Sequence, residues 1–198
     1  MKINFDFKDR DNKWIKTYCY KATQYETLSY SRFRGMHKRC LIGGAEQRNY
    51  PRYIGCYSSD PFKDFQYFTD WSIEQKGYEN TNWHLDKDIL IKGNKLYSEN
   101  TCVFVPPELN LMLIKTNSRR GKCPIGVYWN KRDEVFTAYV CEESKLRHIG
   151  NFNNYVSAFN AYKIAKELYI KRQADKWKPS IDKRVYEALM NYKVEIDD

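Results

Sequence analysis

The sequence predicts an α+β protein of two modules, and three of its features carry that prediction. Between Leu85 and Cys102 an apolar run with paired acids leads to a Gly93-Asn94 turn, then to a helix-start signal at Ser98-Glu99-Asn100. From Ile125 onward, three short alternating stretches precede one long stretch of helical period. Positive charge is also uneven. Residues 1–110 hold 17 basic and 14 acidic side chains (+3), residues 111–180 hold 14 and 6 (+8), and residues 181–198 hold 3 and 5 (-2). A hairpin-and-helix module with flanking helices is expected first, and a three-stranded antiparallel sheet packed on one helix after it.

At 198 residues the chain can bury a core in each module. Its 17 Tyr, 10 Phe and 5 Trp are too many for a disordered tail. No apolar run approaches the roughly 20 residues that span a bilayer, and Met-Lys-Ile-Asn-Phe-Asp is not a signal-peptide pattern. A cytoplasmic protein with no membrane partner is expected. Cys19, Cys40, Cys56, Cys102, Cys123 and Cys141 form no C-x-x-C pair. That favours reduced thiols over a zinc site from His37, Cys40 and Cys56.

Ile3, Phe5 and Phe7, a polar turn at 9–13, then Trp14, Lys16, Tyr18 and Tyr20 alternate as a β-hairpin. Residues 26–42 read as a helix with Leu28, Phe33 and Met36 on its apolar side. Arg32, Arg34, Lys38 and Arg39 give it a basic face, suited either to phosphates or to solvent. Gly43-Gly44 breaks the pattern, and 43–58 read as a loop. Asp60 as N-cap and Pro61 at the first helical position start the next helix. Phe62, Phe65, Phe68 and Trp71, with Ile73 nearby, form its buried face, and Gly77 ends it. Residues 79–82 lead into the strand carrying Asp86. Pro106-Pro107 stops what precedes it, and 108–114 form a short helix or an extended arm. Residues 115–122 have linker composition. Strands follow at 125–129, 135–140 and 146–149, then a helix from Tyr155 to Trp177 with Ala158, Ala161, Tyr162, Ala165 and Leu168 along one side. After Pro179-Ser180, Ile181, Val185, Leu189 and Tyr192 shape a last helix that packs back. The domains are thus expected at 1–117, 118–178 and 179–198.

Asp86 precedes Asn94 by 8 residues and Asn100 by 14. With the apolar run and the Gly-Asn turn, this spacing resembles the ββα-metal core of the HNH nucleases over about residues 28–110. That core is a strand ending in an acid–base pair, a loop pinned by a middle Asn, and a helix whose first turn carries an oxygen ligand. The resemblance implies Asp86 as the strand carboxylate on the metal, Asn100 as the helix-borne amide ligand, Asn94 as the loop pin and Ser98 as the helix cap. Asp88 is the carboxylate ligand if the register shifts by two. A few hard oxygen ligands suit Mg2+ or Mn2+, which would stabilise the pentacovalent phosphate. Where the family places its general-base histidine, this chain has Lys87. His84, two residues before Asp86 and on the same strand face, is the candidate substitute.

Gly126-Val-Tyr-Trp129, Thr137-Ala-Tyr-Val140, Ile149-Gly-Asn-Phe152 and Ala161-Tyr-Lys-Ile-Ala165 stand in the order strand, strand, strand, helix. Over about residues 121–172 this resembles the Apetala-type (ethylene-response-factor) DNA-binding domain, whose outward sheet face enters the major groove. Alternation sends Val127, Ala138, Val140 and Ile149 toward the helix, and Tyr128, Asn130, Thr137, Tyr139 and His148 outward. Arg119, Arg120, Lys122, Lys131, Arg132, Lys145 and Arg147 surround that face as expected phosphate contacts. Together the two resemblances imply a phage or mobile-element homing-type endonuclease that binds double-stranded DNA and hydrolyses a phosphodiester bond, in the host cytoplasm if phage-encoded. The rival reading is a catalytically inactive DNA-binding protein of the same scaffold, a regulator or inhibitor, and Lys87 separates the two.

Overall fold

The computed structural model describes residues 3–8, 14–19, 24–114 and 123–198. The protein is mixed α+β, with six α-helices among the described residues. It divides into two compact units, residues 1–110 with 180–185 and residues 111–179 with 186–198. The last segment, expected as one piece, is therefore shared between them. The expected linker at 115–122 lies outside the described residues. No described helix is long and apolar enough to cross a membrane.

In the first unit β1 (Ile3–Lys8) pairs antiparallel with β2 (Trp14–Cys19). Helix α1 (Gln24–Cys40) buries Ser29, Phe33, Met36 and Cys40, which recur at steps of three and four residues. The segment expected as a loop holds a short helix, α2 (Ala45–Asn49). Its polar sequence hides it from any hydropathy pattern. What holds it is the buried Gln47, whose amide donates to the Arg39 carbonyl at 3.1 Å and accepts from the Gly43 N–H at 3.4 Å.

Next come β3 (Tyr57–Ser58) and α3 (Phe65–Ile73). Asp60 and Pro61 start only a 3₁₀ turn at Pro61–Lys63, and Asp60 caps nothing with its side chain. The cap of α3 is Asp64, whose carboxylate accepts the Tyr67 N–H at 2.8 Å. Restarting the helix lets Phe62 enter the core together with Phe65 and Phe68, all three packed with Phe33 in one cluster. Ile73, grouped with that stripe in the sequence, is exposed, and the helix ends there, short of Gly77.

Four small pieces follow: β4 (His84–Asp86), β5 (Leu96–Tyr97), β6 (Val103–Val105) and α4 (Pro107–Met112). Strands β3 and β5 pair in parallel, and β4 pairs antiparallel with β6, His84 opposite Val105 and Asp86 opposite Val103. The helix expected from Ser98 does not form. Residues 98–101 make a single turn, closed by the Thr101 and Cys102 N–H groups on the Ser98 carbonyl. The chain then extends because Val103, Phe104 and Val105 are all buried against β4 and the core. The helix comes one strand later, as α4.

In the second unit β7 (Val127–Asn130), β8 (Val135–Glu142) and β9 (Lys145–Phe152) form an antiparallel sheet in sequence order, packed on α5 (Tyr155–Trp177). Val127, Ala138 and Val140 face Ala158, Phe159 and Tyr162 of α5. Asn154 caps α5 by accepting the Ser157 N–H at 2.8 Å. Leu168, placed on the packed side by the sequence, points to solvent, and Tyr169, Ile170, Gln173 and Ala174 carry the burial onward. At Gly126 the backbone has φ +77° and a Cβ would stand 2.1 Å from the Tyr162 ring, so only glycine fits beneath it. The final helix α6 (Lys183–Met190), with Ile181 just before it, buries Val185 and Leu189.

Candidate functional site

Alternation along β4 puts His84 and Asp86 on one face and Leu85 on the other, inside the core. Asp86, at the strand's end, is 8% exposed. Its Oδ1 accepts the Asp88 and Ile89 N–H groups at 2.9 and 2.7 Å, which closes the turn leaving the strand. Burial first, and the neighbouring Asp88 carboxylate second, push the Asp86 carboxyl up to about 7. The two backbone donors oppose that shift without cancelling it.

Lys87 is 4% exposed. Its ammonium donates to Asp88 Oδ2 at 3.2 Å and lies 5.7 Å from the Tyr97 ring centroid. The side chain is thus a charge-paired donor, an arrangement that does not present a lone pair to water. Asn94 ties the loop together, its Nδ2 donating to the Lys87 and Leu96 carbonyls at 2.6 and 2.7 Å while its Oδ1 accepts the Leu96 N–H. Thr101 adds a bond to the same Leu96 carbonyl. Ser98 caps no helix, and its hydroxyl meets that of Thr101 instead.

Asn100, expected on a helix, sits exposed on the single turn 98–101. The helix-borne amide that reaches the β4 face is Asn110 of α4, whose Nδ2 lies 2.9 Å from His84 Nδ1. The sequence signal for it was the helix start at Pro107, with an Asn on the same first turn. Because Asn110 donates to Nδ1, the His84 proton sits on Nε2. Burial, then the nearby Arg39 guanidinium, holds the His84 pKa below its ordinary value, with Glu108 opposing.

The oxygen-bearing side chains at or next to this strand face are the Asp86 carboxyl, the Asp88 carboxylate paired with Lys87, and the Asn110 amide. Burial, with the Asp88 carboxylate beside it, disfavours charge on Asp86, and a bound cation would offset that cost. Among the described residues no three His, Cys, Asp or Glu side chains are grouped to hold a metal by themselves. His37, weighed above for zinc, instead bonds the Phe62 carbonyl through Nε2 at 3.2 Å.

The cations assigned to DNA divide. Arg34 and Lys38 are exposed on α1. Arg32 is spent on structure, donating to the Tyr78 and Asn80 carbonyls at 2.7 and 2.8 Å with its guanidinium over the Phe104 ring. Arg39 is turned inward to the Tyr97 phenol and the Tyr53 ring. Arg119, Arg120 and Lys122 lie outside the described residues.

In the second unit the outward sheet face carries a ladder of rings, Tyr128 to Tyr139 at 5.8 Å and Tyr139 to His148 at 5.2 Å. Asn130 is consumed by its turn, accepting from the Arg132 and Asp133 N–H groups and donating to the Asp133 carboxylate. Arg132 pairs with Asp133, and Arg147 with Glu142. Lys131 and Lys145 are exposed. Asn151, which the Ile149-Gly-Asn-Phe152 motif contains without a role, gathers Thr137 Oγ1 at 3.0 Å and His148 Nε2 at 3.2 Å on its Oδ1. Its partners come from strand register, which composition does not display. Comparison of the chain with protein-family models, with curated proteins and with solved structures finds no match.

Proposed function

We propose that the first unit is a metal-dependent DNA endonuclease of HNH type whose ββα core is β4, β6 and α4, and that the second unit is an Apetala-type module that binds double-stranded DNA. The observation that carries this reading is the Asn110–His84 bond. It fastens a helix amide to the strand face that also bears Asp86, across an antiparallel pair whose exit loop is pinned by Asn94. With Nδ2 committed to His84, the Asn110 oxygen is the end left for a cation, and His84 acts as its positioning residue. Asp86 supplies the strand carboxylate. Mg2+ or Mn2+, when bound, would stabilise charge on the scissile phosphate and acidify a bound water. In the second unit the ring ladder lies against the groove, while Lys131 and Lys145 contact phosphates.

The Lys87–Asp88 pair favours a second reading, a silent DNA binder, because the position of the usual base holds an engaged ammonium. Plasmid nicking with Mg2+ or Mn2+ separates the two. The nuclease reading expects nicking that Asp86→Ala and Asn110→Ala abolish and Asn100→Ala leaves intact. Tight binding without strand scission supports the silent binder, and nicking that survives Asn110→Ala refutes the assigned core.

A further inference from the structure

The stretch 43–58 offers no motif in the sequence, yet its 3₁₀ turn at Pro51–Tyr53 displays a stacked cation. The Arg52 guanidinium carbon lies 4.9 Å from the Tyr50 ring centroid and 5.1 Å from that of Tyr53. These two rings meet edge-on, 6.1 Å apart at 74°. The Lys95 ammonium is brought to the same turn, donating to the Arg52 carbonyl at 2.6 Å. Among the described residues neither Arg52 nor Lys95 is ion-paired with a carboxylate.

Two like charges brought to one turn, with no carboxylate paired to either, favour an anion bound beside them. Stacking on two rings also removes most of the rotamer freedom that an exposed arginine loses on binding. A planar fork held in place matches two oxygens of a phosphodiester, and the ammonium beside it serves as a point charge. The turn is also wired to the candidate site. Lys95 follows the loop pin Asn94, its carbonyl accepts the Tyr57 N–H at 3.1 Å, and Tyr97 in β5 accepts the Ser59 N–H at 2.8 Å. A strand of DNA gripped here is registered on the loop that leaves Asp86.

We propose that Arg52 and Lys95, supported by Tyr50 and Tyr53, form a phosphodiester clamp that grips the backbone of duplex DNA on the first unit. The clamp rests on the DNA reading above. The test is binding of a short duplex oligonucleotide to the full chain, followed by fluorescence anisotropy across a salt series. Arg52→Ala and Lys95→Ala should each weaken binding about tenfold and reduce the slope of log affinity against log salt by about 0.9, the share of one phosphate. Tyr50→Ala should weaken binding about threefold with the slope unchanged, because both charges remain. Arg52→Gln carries the test if Arg52→Ala lowers the melting temperature. If the Arg52 and Lys95 variants keep wild-type affinity and slope while Lys131→Ala lowers both, the clamp is overturned and the DNA reading survives. If the wild-type chain leaves the duplex unbound, both fall.

Discussion

The two units bury their polar backbone by different means. The second relies on a ladder, with β8 and β9 each running 8 residues and pairing along most of their length. Beyond its N-terminal hairpin, the described residues of the first form only strands of two or three residues, joined by side chains that stand in for a ladder. Asp86, Asn94, Thr101, Gln47 and Arg32 each commit at least one polar atom to a backbone group there. A long ladder satisfies its own donors and acceptors, whereas a broken sheet leaves orphans that side chains must reach. In the first unit, therefore, a polar residue in a motif is first a structural part, and only what remains of it is free for chemistry.

The largest effects fall at two glycines, one in each unit. A Cβ at Gly126 would meet the Tyr162 ring at 2.1 Å, and one at Gly77 the Trp83 ring at 2.3 Å, both at positive φ. Gly126→Ala should cost about 3 kcal/mol or more and strip hydrogen-exchange protection from the sheet of the second unit. Gly77→Ala should do similar damage to the first unit. Protection lost equally in both units from either variant would dissolve the distinction.

A smaller, pH-dependent effect belongs to the first unit. The unfolded Asp86 carboxyl titrates near 4, while burial pushes the folded one to about 7. Between those values the folded chain holds a proton that the unfolded chain releases. Stability therefore falls as pH rises through this window and is lowest above it. Asp86→Asn, which keeps Oδ1 for the two backbone donors, should raise the melting temperature at pH 8 and leave it unchanged at pH 4. Added Mg2+ should stabilise the wild type at pH 8 and not the variant. A variant less stable at both pH values would contradict the assigned burial cost.

The smallest effect concerns a helix start. Asp64→Ala should cost about 1 kcal/mol in denaturant unfolding, whereas Asp60→Ala, which removes only an exposed pair with Lys63, should change the midpoint little. The reverse order would return the cap to the residue that the Asp-Pro signal favours.

Local periodicities are legible in the chain alone. Phe62, Phe65 and Phe68 recur at helical steps and are buried, and Val127, Ala138 and Val140 alternate and face α5. In each case the pattern lies within a few residues and directly reflects burial. Features outside those patterns involve a partner distant in the chain. Ser98-Glu99-Asn100 has a helix-start signal, yet pairing of 103–105 with 84–86 buries three apolar side chains, which a one-turn preference cannot match. That pairing moves the helix to α4 and makes Asn110 the residue that meets His84. The Arg32, Arg39 and Arg52 side chains differ in role for the same reason. Their identity fixes a positive charge, but the rings and carbonyls packed around each one decide whether that charge supports the core or faces a phosphate.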